Sequence, residues 1–342
     1  MAKTRTGIGR LAVAAALVLA AAGCGGDEKA ATTGEADGLR IGLVTDTGQL
    51  NDRGFNHLAY VGLKRAETEL GVTVRVAESK TASDYVPNLS TFARRGYDLV
   101  IGVGFTEIAA MEAVAKKFPE TRFSIVDVSY KDLKGAPTNV RGLLFHEEEV
   151  GYLAGYLGAL VEKRRPGADV VSSVGGQKQP PVDRFIAGYQ AGARAASPAV
   201  KTPNAYSQDF ADQAKCKEIA LNQIAAGAGV VFQVAGGCGL GALDAAREKK
   251  VWGVGVDADQ AFLGPHVLTS AMKAVDRSVY LTILDVQQGR FKGGADAVFS
   301  LKQGGVRLGK ISPKVPKADV EALAAVKARI LAGEIEIPRE VK

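Results

Sequence analysis

From Leu39 onward the chain alternates short β-rich apolar runs with amphipathic stretches. Leu39–Thr45 reads as a strand. Phe55, Leu58, Ala59, Gly62, Leu63, Ala66 and Leu70 then recur at steps of three and four, which marks one buried helix face. Strands follow at Val72–Val76, Asp98–Gly104, Arg122–Val128 and Val140–Phe145, with helices between them around Tyr85–Ala93 and over Ile108–Lys117. The plan then restarts: helix Glu147–Glu162, strand Asp169–Val174, helix Val182–Ala196, strand near Val200–Tyr206, helix Ala211–Ala226, strand Gly229–Val234, helix Gly241–Lys249, strand Val251–Asp257. Continuous apolar strands separated by helices predict α/β lobes, each a parallel sheet covered on both faces.

The halves match in one chemical detail. A strand ending near Val103 is followed by a helix and by a second strand ending at Asp127. A strand ending at Val234 is followed in the same way by a strand ending at Asp257. Ligands of open parallel sheets bind beyond the carboxyl ends of the strands, so two such lobes facing each other predict one shared cleft with a carboxylate from each. The remaining segments (Val267–Met272, Val275–Gln288, Ala297–Leu301, Val306–Leu308, Ala318–Leu331) are too few for a third core and are expected to complete the two sheets. The expected division is residues 39–145 plus 271–295 for the first lobe and 146–270 plus 296–342 for the second.

The first residues carry an address. Lys3, Arg5 and Arg10 precede an unbroken apolar run from Leu11 to Ala22, too short to span a bilayer and suited to the core of an export signal rather than a buried helix. Ala21-Ala22-Gly23-Cys24 resembles a bacterial lipobox, with Ala21 where leucine is preferred. Residues 1–24 therefore read as a lipoprotein signal and Cys24 as the acylated N-terminus. Polar, glycine-rich residues 25–38 read as a flexible tether. The protein is expected on the outer face of a bacterial cell membrane, held there by lipid. Setting the leader's three cations aside halves the formal net charge of +6 and leaves no concentrated basic face, so no nucleic-acid partner is expected. Apart from Cys24 there are two cysteines, Cys216 and Cys238. In an oxidising compartment such a pair suggests a disulfide, with two buried free thiols as the alternative. The three histidines are scattered without ligand spacing, so no metal is expected.

The densest polar cluster is Asp46-Thr47-Gly48-Gln49-Leu50-Asn51-Asp52-Arg53-Gly54-Phe55-Asn56, between the first strand and first helix. Asn51 or Asp52 could cap that helix. Capping does not account for Phe55 and Asn56 arriving with them, and an aromatic ring beside amide and carboxylate groups suits an aromatic, hydroxylated or amino-bearing ligand. Glu147-Glu148-Glu149 reads as the favourable negative start of a helix.

Gly48 to Asn56 resembles the loop of the basic membrane protein family, the purine-nucleoside-receptor lipoproteins of ABC transporters. Further matching stretches are Val103-Gly104-Phe105, Val126-Asp127, Glu149 to Gly155, Gly188 to Gly192, Val234-Ala235-Gly236-Gly237, Gly255 to Gln260 and Thr269 to Lys273. The resemblance covers nearly all of residues 39–290. It implies a type I periplasmic-binding-protein fold, two doubly wound parallel-sheet lobes joined by a multi-stranded hinge, closing on a nucleoside that is passed to permease subunits. It also implies a monomer without cofactor. Carried over by position, Phe55 and Phe210 would sandwich the base. Asn51, Asp52 and Asp127 would read its polar edge or order the loop around it. Asp257 would accept ribose hydroxyls, with Lys273 beside it, and Asp46, Asn56, Phe105 and Gly236 would complete the site. For Phe210 the alternative is core packing, and for Asp257 a helix N-cap.

Two other readings compete. One keeps the binding role but takes a sugar or other small polar metabolite. The other is an NAD-dependent oxidoreductase, because Gly237-Cys238-Gly239-Leu240-Gly241-Ala242 fits a Gly-x-Gly-x-x-Ala fingerprint with Asp257 at the end of the next strand. The fingerprint lies in the middle of the second half rather than in a first βαβ unit, the chain reads as exported, and no proton donor with a paired acid accompanies it. No catalytic residue is expected.

Overall fold

The computed structural model describes residues 38–167 and 169–341; the leader, Cys24 and all but the last residue of the expected tether lie outside the described residues. Strands β1 (Arg40–Thr45), β2 (Thr73–Ala77), β3 (Leu99–Val103), β4 (Arg122–Val126) and β5 (Val140–Phe145) alternate with helices α1 (Phe55–Leu70), α2 (Tyr85–Arg94) and α3 (Ile108–Lys117). After α4 (Glu147–Glu162) the plan repeats: β6 (Val171–Gly175), α5 (Pro180–Ala196), β7 (Asn204–Tyr206), α6 (Gln213–Ala225), β8 (Val230–Val234), α7 (Gly239–Glu248), β9 (Trp252–Asp257) and β10 (Val267–Lys273). The chain ends with α8 (Val275–Gln287), β11 (Ala295–Phe299), β12 (Val306–Leu308) and α9 (Lys317–Leu331).

Each lobe holds a six-stranded sheet, ordered β2-β1-β3-β4-β5-β11 in the first and β7-β6-β8-β9-β10-β12 in the second. Every pairing is parallel except β10 with β12. β3 (LVIGV) and β8 (VVFQV) are buried at every position, as strands sandwiched between helices must be. The two orders superimpose element by element, so β4 of one lobe occupies the place of β9 in the other. Among the described residues the chain crosses between sheets after Phe145, after Lys273 and after Phe299.

Some boundaries differ from the sequence expectation. β10 runs through Lys273 in the second sheet, because Ala271 and Met272 pair with Val256 and Asp257 of β9. β11 lies in the first sheet rather than the second: Phe299 pairs with Phe145 of β5, and their rings stack with centroids 5.2 Å apart. β7 shortens to three residues, with Val200 instead buried in the turn before it.

Two close approaches explain glycines that the sequence left without a role. A Cβ on Gly155 would collide with the Tyr189 carbonyl, and one on Gly192 with the Tyr152 carbonyl, so α4 and α5 cross at backbone contact. The fingerprint glycines serve packing as well. Gly241 abuts the Gln213 carbonyl at the start of α6, and Gly239 abuts the Gln233 side chain. Immediately before these glycines, Cys238 is bonded to Cys216 of α6, with Cα atoms 5.6 Å apart. The Gly-x-Gly-x-x-Ala segment is thus the seam between α6 and α7.

Candidate functional site

The loop after β1 is knotted by two carboxylates and one amide. Asp52 is 3 % exposed; its Oδ1 accepts from the Gly54 and His57 amides at 2.9 and 3.1 Å, and its Oδ2 from the Asn56 amide at 2.7 Å. It caps α1 from two residues ahead of the Gly54 N-cap, satisfying donors that the helix start leaves open. Asn56 donates through Nδ2 to Asp46 Oδ1 at 2.7 Å and to Asp52, while its Oδ1 accepts from the Asp46 amide at 3.2 Å. Asp46 Oδ1 also takes the Gly48 amide at 2.7 Å. Asp52 and Asn56 are therefore consumed in holding the loop, and Asp46 Oδ2 and the Phe55 ring are left to face the cleft.

The second part of the site lies at the hinge. Asp127, the residue just after β4, and Asp257, the last of β9, both adopt left-handed backbone, with φ of 72° and 62°. Lys273, 2 % exposed, places Nζ 2.6 Å from Asp127 Oδ1 of the first lobe and 2.9 Å from Glu147 Oε1 at the start of α4. Arg184 stands 3.5 Å from the other Glu147 oxygen. The rings of Phe145, Phe55 and Phe185 surround the same ammonium at 4.8, 5.2 and 5.8 Å. Burial alone would lower the lysine's pKa, but Asp127, Glu147 and Asp257 together push it up, so it is a cation at any working pH.

Both parts open into one cavity between the lobes, with about 540 Å³ of space unfilled by atoms, its mouth included. The first lobe contributes Asp46, Asp52, Phe55, Asn56, Phe105 and Asp127. The second contributes Gln179, Phe185, Phe210, Gly236, Asp257 and Lys273. Phe210 packs against Gly176, where a Cβ would strike its ring, and its carbonyl accepts from the Cys238 amide at 2.9 Å. Asp257 is not a helix cap; Asp259 fills that role, accepting from the Ala261 amide. Across the mouth the lobes touch: a Cβ on Gly237 would sit 3.8 Å from the Asp52 Cα, and one on Gly54 would sit 3.7 Å from Asp257 Oδ2.

Desolvation dominates the electrostatics. Burial pushes Asp46 up to about 6, against the hydrogen bonds from Asn56 and Gly48 that favour its charge. It pushes Asp257 up to about 7, with Lys273 opposing and Asp127 adding to the rise. Asp127 is also raised by burial and opposed by Lys273. Among the described residues the cavity wall is rich in acceptors and carries one cation, Lys273, which is already paired, so the cavity suits a neutral ligand bearing several hydroxyl or amino donors and repels an anion. Among the described residues no group of His, Cys, Asp and Glu is arranged to hold a metal ion.

Of the residues expected to bind ligand, all described, only Asn51 stays outside the cavity wall; it is exposed. Glu147 is more than a helix-start charge, because it is the counter-ion of Lys273. Glu148 and Glu149 are likewise engaged, the first with Arg339 at 2.7 Å and the second with the Leu301 amide at 2.6 Å. Gln179 and Phe185 were not foreseen. Phe185 has the spacing of an ordinary core position of α5, and Gln179 precedes Pro180-Pro181, which signals only a helix start.

The family described as "ABC transporter substrate-binding protein PnrA-like" matches residues 40–340. The chain is 35% identical over 350 residues to the ABC transporter nucleoside-binding protein BmpA of Lactococcus lactis subsp. cremoris, covering 96% of this chain and 97% of the relative. It is 32% identical over 305 residues to an uncharacterized lipoprotein of Pyrococcus horikoshii, covering 85% and 74%. A solved ABC transporter solute-binding protein from Aeropyrum pernix K1 superimposes with a TM-score of 0.81 at 27% identity, covering 89% of this chain and 94% of that one.

Proposed function

This chain belongs to the PnrA-like family of ABC transporter substrate-binding proteins, and on that premise we propose that its cavity receives a purine nucleoside for import. The observation that carries the reading is that Phe55 and Phe210, one from each lobe, line the same cavity as Asp127 and Asp257. A nucleoside has a flat π-face and a vicinal diol. Aromatic rings on both sides of a base supply stacking worth about 1–3 kcal/mol per base. Asp257 accepts the ribose hydroxyls, and Lys273, fixed between Asp127 and Glu147, borders the same end of the cavity. Asp46 Oδ2 accepts from a ring or exocyclic N–H. The name of the Lactococcus relative agrees with this ligand class.

The mechanism is closure about the three crossings. A ligand touching both lobes adds contacts that exist only when they are shut, and so shifts the population toward the closed form. Acylation of Cys24 would tether the receptor to the outer face of the membrane beside its permease, in keeping with the lipoprotein name of the Pyrococcus relative. The test is a thermal-shift screen of nucleosides, free bases and sugars on protein unfolded to strip carried-over ligand and then refolded. Purine nucleosides at about a hundred times Kd are expected to stabilise by about 2.7 kcal/mol. Stabilisation by sugars alone would overturn the nucleoside assignment.

A further inference from the structure

One contact outside the cavity spans its mouth. Arg53, in the loop after β1, holds its guanidinium carbon 5.8 Å from the centroid of the Phe262 ring, which belongs to the one-turn segment Gln260–Leu263 between β9 and β10 of the other lobe. That separation is within reach of a cation–π interaction.

Neither side chain is buried in the core of its own lobe. Phe262 is 60 % exposed, although a ring of that size is ordinarily turned inward. Arg53 adopts left-handed backbone, φ 52°, which a long side chain keeps only where its surroundings impose it. Here the imposing group is Asp52, whose carboxylate gathers the amides of Gly54, Asn56 and His57. The turn that buries Asp52 against the cavity leaves Arg53 exposed on the opposite side, over the second lobe. The same loop carries Asp46 and Phe55 to the ligand space, so shutting the site and bringing Arg53 over Phe262 are one movement.

We propose that Arg53 and Phe262 form a clasp across the mouth, positioning residues that lengthen the ligand's stay by holding the lobes shut without touching the ligand. The clasp exists only in the closed form, so it slows reopening and leaves encounter with the open form unchanged. Its kinetic test uses guanosine as the probe and to that extent rests on the nucleoside reading.

The experiment compares guanosine dissociation and association by stopped flow in the wild type, Arg53→Ala, Phe262→Ala and the double variant. Each single variant is expected to release guanosine about two- to fivefold faster, the gain of an exposed cation–π pair. Association rates and the melting temperature of the unliganded protein should not move. The double variant should release no faster than the quicker single one, and Arg53→Lys should recover part of the loss. Unchanged release, or single effects that multiply in the double variant, would overturn the clasp. A wild type that binds no nucleoside refutes the ligand reading instead. The clasp is then judged by the interlobe distance between spin labels at Lys116→Cys and Lys249→Cys. Loss of the short-distance population in Arg53→Ala supports it, and an unaltered distribution overturns it.

Discussion

Asp127 and Asp257 stand at equivalent points of the two lobes, each following its strand's last apolar residue in left-handed backbone, and both line the same cavity. Between them sits Lys273, which bonds to Asp127 and is close enough to Asp257 to oppose the rise in its pKa. The equivalence is chemical only in part, because Asp127 is spent on the lysine. Asp257 lines the cavity without an ion-pair partner among the described residues, and under the proposed function it is the carboxylate that takes the ligand's hydroxyls.

Asp257→Asn should therefore weaken nucleoside binding about a hundredfold or more, the loss of charge-assisted hydrogen bonds to a diol. Asparagine tolerates the left-handed backbone, so the unliganded melting temperature should hold or rise. Calorimetry on the folded variant measures this, and an affinity equal to wild type would remove Asp257 from the site.

Lys273→Met leaves Asp127 buried without its cation and Glu147 with only Arg184, 3.5 Å away. Breaking one partner out of a buried ionic cluster costs about 3–5 kcal/mol, so the variant should unfold at markedly lower denaturant concentration. Stability within 1 kcal/mol of wild type would mean that the lysine is not the cluster's organising charge.

The spacing of Asp127 and Asp257 was readable because each ends a continuous apolar strand after a matched strand and helix. The loop was harder. Asp52 reads equally as a helix cap and as a ligand group, and Asn56 as a ligand group; the structure decides between these, because their lone pairs and protons are committed to the turn itself. Glu147 read as a favourable charge at a helix start because its partner, Lys273, is remote in the chain and joins it only through sheet order. Phe299 fell to the wrong lobe for a related reason: periodicity says that a strand exists, whereas the sheet it joins is decided by the Phe145 ring it stacks on.

Burial holds Asp46 near 6 and Asp257 near 7, above the 3.8 of an unfolded chain. Between those limits the folded state binds more protons than the unfolded one, so these groups' contribution is fully present below about 3.8 and is lost as pH rises through 6 to 7. The unliganded cavity is thus most at ease in acid. A ligand whose O–H and N–H groups donate to these carboxylates favours their ionised form, so binding should release protons near pH 6.5 and weaken below pH 6. Calorimetry in buffers of different ionisation enthalpy reads the proton count directly. Proton uptake, or affinity that strengthens in acid, would contradict the assignment of the carboxylates as acceptors.

The Cys216–Cys238 bond closes a loop of 22 residues and pins the start of α7, just beyond Gly236 and Gly237. Replacing both cysteines by alanine should cost about 3 kcal/mol, the loop-closure entropy for that length, measured by denaturant unfolding. Because the bonded turn also anchors the Phe210 carbonyl, ligand affinity should fall as well. A variant with wild-type stability and affinity would reduce the bond to a bystander.

The most direct measurement is a calorimetric titration of guanosine into stripped, refolded protein, with Phe55→Ala and Phe210→Ala alongside. Expected are one site per chain in the wild type and a loss of about 1–3 kcal/mol in each variant, because a base clasped between lobes needs both rings. Guanosine giving no saturable heat, or either ring being removable without effect, would contradict the two-sided clamp.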